Sequence, residues 1–118
     1  MKIIYALFAV VLLSACSPHP GSGVWKAQGE NTLGIPNLTI GFEGKAQFTS
    51  SKMTIATWHC FWNAKSKQTI DLDCTPSSDT EEETHFVLAV KDDQTAELSR
   101  DGNSVGLFVR QDKMPEIP

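Results

Sequence analysis

The chain predicts an all-β fold, a small eight-stranded antiparallel up-and-down barrel, with a two-sheet β-sandwich as the alternative. Three observations carry this. Apolar residues from Val24 onward recur with a period of two, not 3.6. The alternating runs are short and separated by turn residues such as Gly44, Asp92-Asp93 and Asp101-Gly102. No stretch carries a convincing helical pattern, and 118 residues make one small domain.

The first 15 residues stand apart. Lys2 provides a minimal positive start, and residues 3–13 form an uncharged apolar run of 11 residues. That is too short to cross a bilayer, which needs roughly 20 apolar residues, but it has the length and flanks of an export signal. An ordinary secretory signal cut near Ala15, or a buried N-terminal element, are the competing readings. Leu13-Ser14-Ala15-Cys16 resembles a bacterial lipobox, the sequence read by prolipoprotein processing. The resemblance implies that residues 1–15 are removed and that Cys16 becomes an acylated N-terminus. Several acyl chains anchor firmly, whereas one alone is marginal. Ser17, in place of an Asp, implies the outer membrane as the destination, periplasm-facing or surface-exposed.

Residues 16–23 then read as the lipidated cysteine and a flexible tether, because Pro18, Pro20, Gly21 and Gly23 exclude a helix. His19, alone between prolines, reads as merely polar. Ten basic side chains face 14 acidic ones, and loss of Lys2 with the leader makes the balance more acidic. That argues against nucleic acid and against broad adhesion to anionic headgroups; the expected membrane link is the lipid alone.

The barrel is expected over residues 24–110. Val24-Trp25-Lys26-Ala27 is the first strand, followed by a loop over residues 28–36 broken by Gly29, Asn31, Gly34 and Pro36. Leu38, Ile40 and Phe42 alternate with polar neighbours, and Ala46 and Phe48 do so after Gly44. A three-residue turn at Glu43-Gly44-Lys45 would set Phe42 opposite Ala46 and Ile40 opposite Phe48.

Residues 54–74 are the most tightly determined. Trp58, Cys60 and Trp62 share one strand face, as do Ile70, Leu72 and Cys74 on the next strand, with the polar stretch 63–68 between them. Setting Cys60 opposite Cys74 brings Trp62 to Leu72 and Ala64 to Ile70, so every apolar residue lands on one side. Directly opposed strand residues are close enough for a disulfide, and an exported chain permits one. With Cys16 consumed by lipid, two cysteines remain to pair. Two buried free thiols, or a metal pair joined by His59 and His85, are the alternatives; two cysteines this far apart without a CxxC make a poor zinc pattern.

Residues 75–84 form a polar segment with Asp79, Glu81, Glu82 and Glu83, read as a solvated loop or as an acidic lip for a basic partner. Three strands complete the domain, over residues 85–91, 95–99 and 105–110, and residues 111–118 form a flexible tail.

Gly23-Val24-Trp25 resembles the G-x-W that opens the first strand of lipocalin-like (calycin) barrels. In that superfamily an Arg late in the last strand packs over the Trp and closes the barrel base, and Arg110 occupies the matching place. The resemblance thus assigns barrel closure to Gly23, Trp25 and Arg110. The short strands, and the ending from Leu98 through Gly102 to Arg110, are similar to the compact barrels of bacterial periplasmic metalloprotease inhibitors and related outer-membrane lipoproteins. Those inhibitors plug the protease with a free N-terminal segment. An eight-stranded barrel this small is filled by its own side chains, so a large internal ligand is not expected.

Catalysis is not expected: no nucleophile elbow or GxSxG-like turn occurs. The one polar constellation to be built is His59 with Asp71 and Asp73 on an outer strand face, a weak acid–base candidate. No cofactor or metal is called for. The function expected is a membrane-anchored, non-catalytic binding or inhibitor module with an envelope protein partner. A structural envelope-maintenance lipoprotein, or an exclusion or immunity lipoprotein of a plasmid, phage or secretion system, are the alternatives.

Overall fold

The computed structural model describes residues 19–111; Cys16, the leader and most of the C-terminal tail lie outside the described residues. Eight strands follow in order: β1 (Gly23–Ala27), β2 (Asn37–Ile40), β3 (Lys45–Ser50), β4 (Ala56–Ala64), β5 (Thr69–Pro76), β6 (Thr84–Val90), β7 (Thr95–Arg100) and β8 (Asn103–Gln111). Each pairs antiparallel with its neighbours in the chain. β1 pairs with β8 through Trp25↔Arg110 and Ala27↔Phe108, which closes the sheet into an up-and-down barrel. Closure satisfies the two edges that an open sheet would leave exposed. The first and last strands each run one residue beyond the expected 24–110 bounds.

Period two governs burial. In β5, Ile70, Leu72, Cys74 and Pro76 are buried and alternate with more exposed neighbours; β6 and β7 follow the same rule. The interior is packed, with Trp25, Trp58, Phe86 and Phe108 wholly withdrawn from water. Phe48, Trp58 and Phe86 form an aromatic cluster with ring centroids 5.3–5.7 Å apart, within the range where stacked and edge-to-face pairs gain energy beyond area burial. Phe42 and Phe61 lie outside the core, at 51% and 68% exposure.

The β4–β5 hairpin has the expected register: Cys60↔Cys74, Trp62↔Leu72 and Ala64↔Ile70. Cys60 and Cys74 form a disulfide, with Cα atoms 4.1 Å apart. The β2–β3 hairpin is corrected by two residues. Ile40 pairs with Ala46 and Leu38 with Phe48, so the turn is Phe42-Glu43-Gly44, closed by the Gly41 amide donating to the Lys45 carbonyl at 2.8 Å. Parity survives such a shift, which is why alternation alone could not choose between the two registers.

A second difference lies in the 28–36 loop. It was expected as a polar connector, yet Leu33 and Ile35 are each only 1% exposed and belong to the core. The loop folds over one barrel end. Its Leu33 carbonyl accepts from the Ser51 and Lys52 amides, and its Thr32 amide donates to Val105. Asn31 stitches it internally, its side chain bonding both the amide and the carbonyl of Ile35 at 2.8 Å. Gly106 makes room for this plug, since a Cβ there would lie 2.5 Å from Asn31 Cβ. A bulge between Leu98 and Ser99 shifts the β7–β8 register, leaving Val105 as the extra residue, buried beneath the plug.

Candidate functional site at the barrel mouth

Strand direction divides the barrel into two ends. The loops 28–36, 51–55, 77–83 and 101–102 gather at the mouth; the turns 41–44, 65–68 and 91–94 gather at the base with residues 19–22.

The mouth carries a cleft of about 360 Å³ bordered by Thr32, Leu33, Met53, Arg100, Asn103 and Val105, with Asp101 at its edge. Arg100 is paired with Phe86 across β6–β7, on the inward-facing side of β7. Its guanidinium lies 5.9 Å from the Trp58 ring centroid and 6.0 Å from that of Phe86. Aromatic faces hold the cation by their quadrupoles without using its N–H groups, and Arg100 has no ion pair among the described residues. The β7–β8 turn beside it is tight. Asp101 and Gly102 have φ of 49° and 85°, the two-positive-φ pattern that matches strand twist in two-residue hairpins.

The 51–55 loop supplies the cleft's other wall. Met53 and Ile55 are 81% and 76% exposed, and Met53 has φ 66°, left-handed backbone that a non-glycine residue adopts only when its surroundings impose it. The loop is anchored beneath by Ser50, whose hydroxyl donates to the Thr54 carbonyl and accepts from Trp58 Nε1 at 2.8 Å. Met53 thus stands on a braced loop across the cleft from Arg100, and Ile55 is exposed on the same loop. Below them lies the buried aromatic cluster of Phe48, Trp58 and Phe86.

The polar cluster on the outer wall differs from expectation. Asp71 and Asp73 do lie on one face, but their partner is His85, not His59. Strand β6 lies beside β5 with Asp73↔His85 paired, whereas His59 is paired with Thr75 and Gln47. His85 Nδ1 lies 3.3 Å from Asp73 Oδ1 and Nε2 3.3 Å from Asp71 Oδ1. The Asp71 contact lacks hydrogen-bond alignment. No group of three or more His, Cys, Asp or Glu among the described residues is arranged to hold a metal.

At the base, Arg110 lies 4.3 Å from the Trp25 ring centroid. Its Nη1 donates to the Ser22 carbonyl at 2.8 Å, its Nε to Asp93 at 3.0 Å, and its Nη2 to Pro20. Trp25 Nε1 donates to the Gly21 carbonyl at 2.9 Å. Gly23, at φ 128°, lies under the guanidinium, and a Cβ there would come 2.9 Å from Nη1. That close approach, together with φ, is the physical reason for a glycine two residues before the Trp. The segment expected to be a flexible tether up to residue 23 is therefore docked from His19 onward. His19 Nε2 donates to the Ser66 carbonyl at 2.7 Å, and Nδ1 accepts from the Gly21 amide at 3.0 Å, a pairing that specifies the Nε2–H tautomer.

The architecture is thus that of a compact, lipocalin-like up-and-down barrel with a plugged mouth and a latched base. Comparison with protein-family models, curated proteins and solved structures gave no match.

Proposed function

We propose that this protein is a lipid-anchored lipoprotein of the bacterial outer membrane whose barrel is a non-catalytic binding or inhibitor module, and that the mouth contacts an envelope protein. The observation that carries this reading is the grouping of exposed Met53 with Arg100, which has no ion pair among the described residues, around one cleft, with exposed Ile55 on the same loop as Met53. Arginine is among the residues in which protein contacts concentrate their energy, and methionine is enriched at such interfaces. The size favours a side chain or chain end of a partner over a large hydrophobic ligand. Docking of residues 20–22 under Arg110 favours the mouth over an inserted N-terminus as the working surface, a departure from the metalloprotease inhibitors that the sequence resembles. Acidic residues Asp79, Glu81, Glu82 and Glu83 on the neighbouring loop add complementarity to a basic partner rim.

The test is recovery of partners from solubilised envelope with the wild-type protein and with the Met53→Ser/Ile55→Ser/Arg100→Glu variant. One stoichiometric protein, recovered by the wild type and lost with the variant, is expected. Equal recovery by both, or no recovered protein, overturns the binding role. The anchor is tested separately: Cys16→Ala releases the protein from membranes, and unchanged membrane fractionation refutes lipidation at that residue.

A further inference from the structure

We infer that the base of the barrel is a docking face for a bilayer rich in anionic phospholipid, and that it holds the mouth pointing away from that bilayer. The chain's formal charge of −4 is unevenly distributed. The mouth loops and their flanks carry Glu30, Asp79, Glu81, Glu82, Glu83 and Asp101 against Lys52 and Arg100. The basal turns and the strand ends beside them carry Lys45, Lys65, Lys67, Lys91 and Arg110 against Glu43, Asp92, Asp93 and Glu97. The acidity is therefore concentrated at the mouth, and the base carries a slight cationic excess.

At that end the cations differ in availability. Arg110 is engaged by three carbonyls and the Trp25 ring, and Lys91 lies 3.5 Å from Glu97. Lys45, Lys65 and Lys67 are exposed and have no ion pair among the described residues. They share the basal end with Phe42, and Lys45 lies beside Phe61 on the adjoining wall, the two large aromatics excluded from the core. Phe61 is paired with Lys45 across β3–β4, and Phe42 projects from the adjacent turn. Half-buried Trp62 ties the two turns together, its amide donating to the Gly44 carbonyl and its Nε1 to Gly41. Phe61 stands between Lys45 and Asp73, so the match to the headgroup zone rests on Phe42 at the apolar boundary and on the exposed ammonium groups of Lys45, Lys65 and Lys67 reaching phosphate.

The chain's path makes the same choice of face. His19 is bonded to the carbonyl of Ser66, which lies between Lys65 and Lys67, so the chain preceding it joins the body at this corner. Placement of that corner beside a bilayer rests on the lipid-anchored reading; the match of lysine, phenylalanine and anionic headgroup does not. Each lysine close to an anionic surface strengthens binding about fivefold, so the three together contribute on the order of a hundredfold.

The experiment is amide hydrogen exchange on the exported protein held on vesicles of phosphatidylglycerol or of phosphatidylcholine. It uses the acylated chain, or Cys16→Ser carried by an N-terminal His tag on nickel-chelating lipid, so that a failure of lipidation stays distinct from a failure of docking. On phosphatidylglycerol, exchange is expected to slow in residues 41–45 and 64–68 and to remain unchanged in 77–83. The slowing is expected to vanish in K45E/K65E/K67E, to weaken in Phe42→Ser/Phe61→Ser, and to fade at high salt. Equal exchange on the two vesicles, or slowing at the mouth loops, overturns the inference. Basal slowing that survives K45E/K65E/K67E also overturns it.

Discussion

Replacing Arg110 with alanine should open the base of the barrel. The side chain makes a cation–π contact at 4.3 Å with Trp25, worth about 1–2 kcal/mol in a partly desolvated setting. It also donates to the carbonyls of Ser22, Asp93 and Pro20. Bonds from a charged donor contribute ~1.5–3 kcal/mol each when well shielded. Only the Ser22 bond is part-buried, and the other two are exposed, so that bond carries most of the polar gain. The expected loss is about 3 kcal/mol, a large share of the ~5–15 kcal/mol that holds a domain of this size together. For a domain near 100 residues that lowers Tm by roughly 12–24 °C. Chemical denaturation and calorimetry of wild type, Arg110→Ala and Arg110→Lys measure it. Lysine keeps the charge but has no planar fork to reach three carbonyls while lying over an indole, so it should recover less than half of the loss. A lysine variant as stable as the wild type would refute the latch and leave only a charge requirement.

Two further outcomes are expected. Cys60→Ala/Cys74→Ala opens a loop with a sequence separation of 14 and should lower stability by about 3 kcal/mol; thiol labelling of the unreduced wild type should find neither cysteine free. Asp92 accepts from the amides of Gln94 at 2.8 Å and Thr95 at 2.9 Å. The Gln94 amide, and then the Thr95 bond, hold its carboxyl below the ordinary 3.8. A carboxyl depressed on folding stabilises the β6–β7 turn above its unfolded value, and that contribution is lost as pH falls through the lower folded value. Amide exchange at residues 94 and 95, corrected for intrinsic rates, should accelerate relative to the strands at acid pH. Asp92→Asn should flatten that dependence, and an unchanged pH profile in the variant would assign the turn's stability elsewhere.

Local pattern was legible wherever both partners of a contact lay in one hairpin. Trp58, Cys60 and Trp62 had to meet Ile70, Leu72 and Cys74 because any odd slip would turn an apolar face to water, and the register of β4 and β5 followed. Phe42 shows the limit of this logic. A shift of two residues preserves parity, and its outcome depends on which aromatic the filled core admits; Trp58, Phe86 and Phe48 left Phe42 outside. Leu33 and Ile35 had the spacing of inward-facing residues, but Gly29, Asn31, Gly34 and Pro36 dominate that stretch, and burial there depends on Val105 and Ser51 from distant strands. His59 was expected beside Asp71 and Asp73, and His85 was missed, because that contact needs the β5–β6 register, across a ten-residue polar segment that carries no register signal. The mouth cleft and the cationic base were invisible for a related reason. Both collect residues from alternate turns, and only the closed barrel decides which turns share an end.

The pairing of β1 with β8 has a consequence for how the chain is made. Arg110 reaches back 88 residues to the Ser22 carbonyl, so β1 waits for β8 before its outer edge is satisfied. The seven hairpin joints can zip in order as each turn appears, because each needs only its immediate neighbour. The eighth joint is a ring closure that no partial chain can make, and until it forms both terminal strands offer unpaired backbone to any neighbouring chain. Truncation before residue 103 therefore removes more than one-eighth of the sheet. It converts a closed ring into an arc with two adhesive ends, and the damage appears as association between molecules rather than as a smaller, weaker barrel.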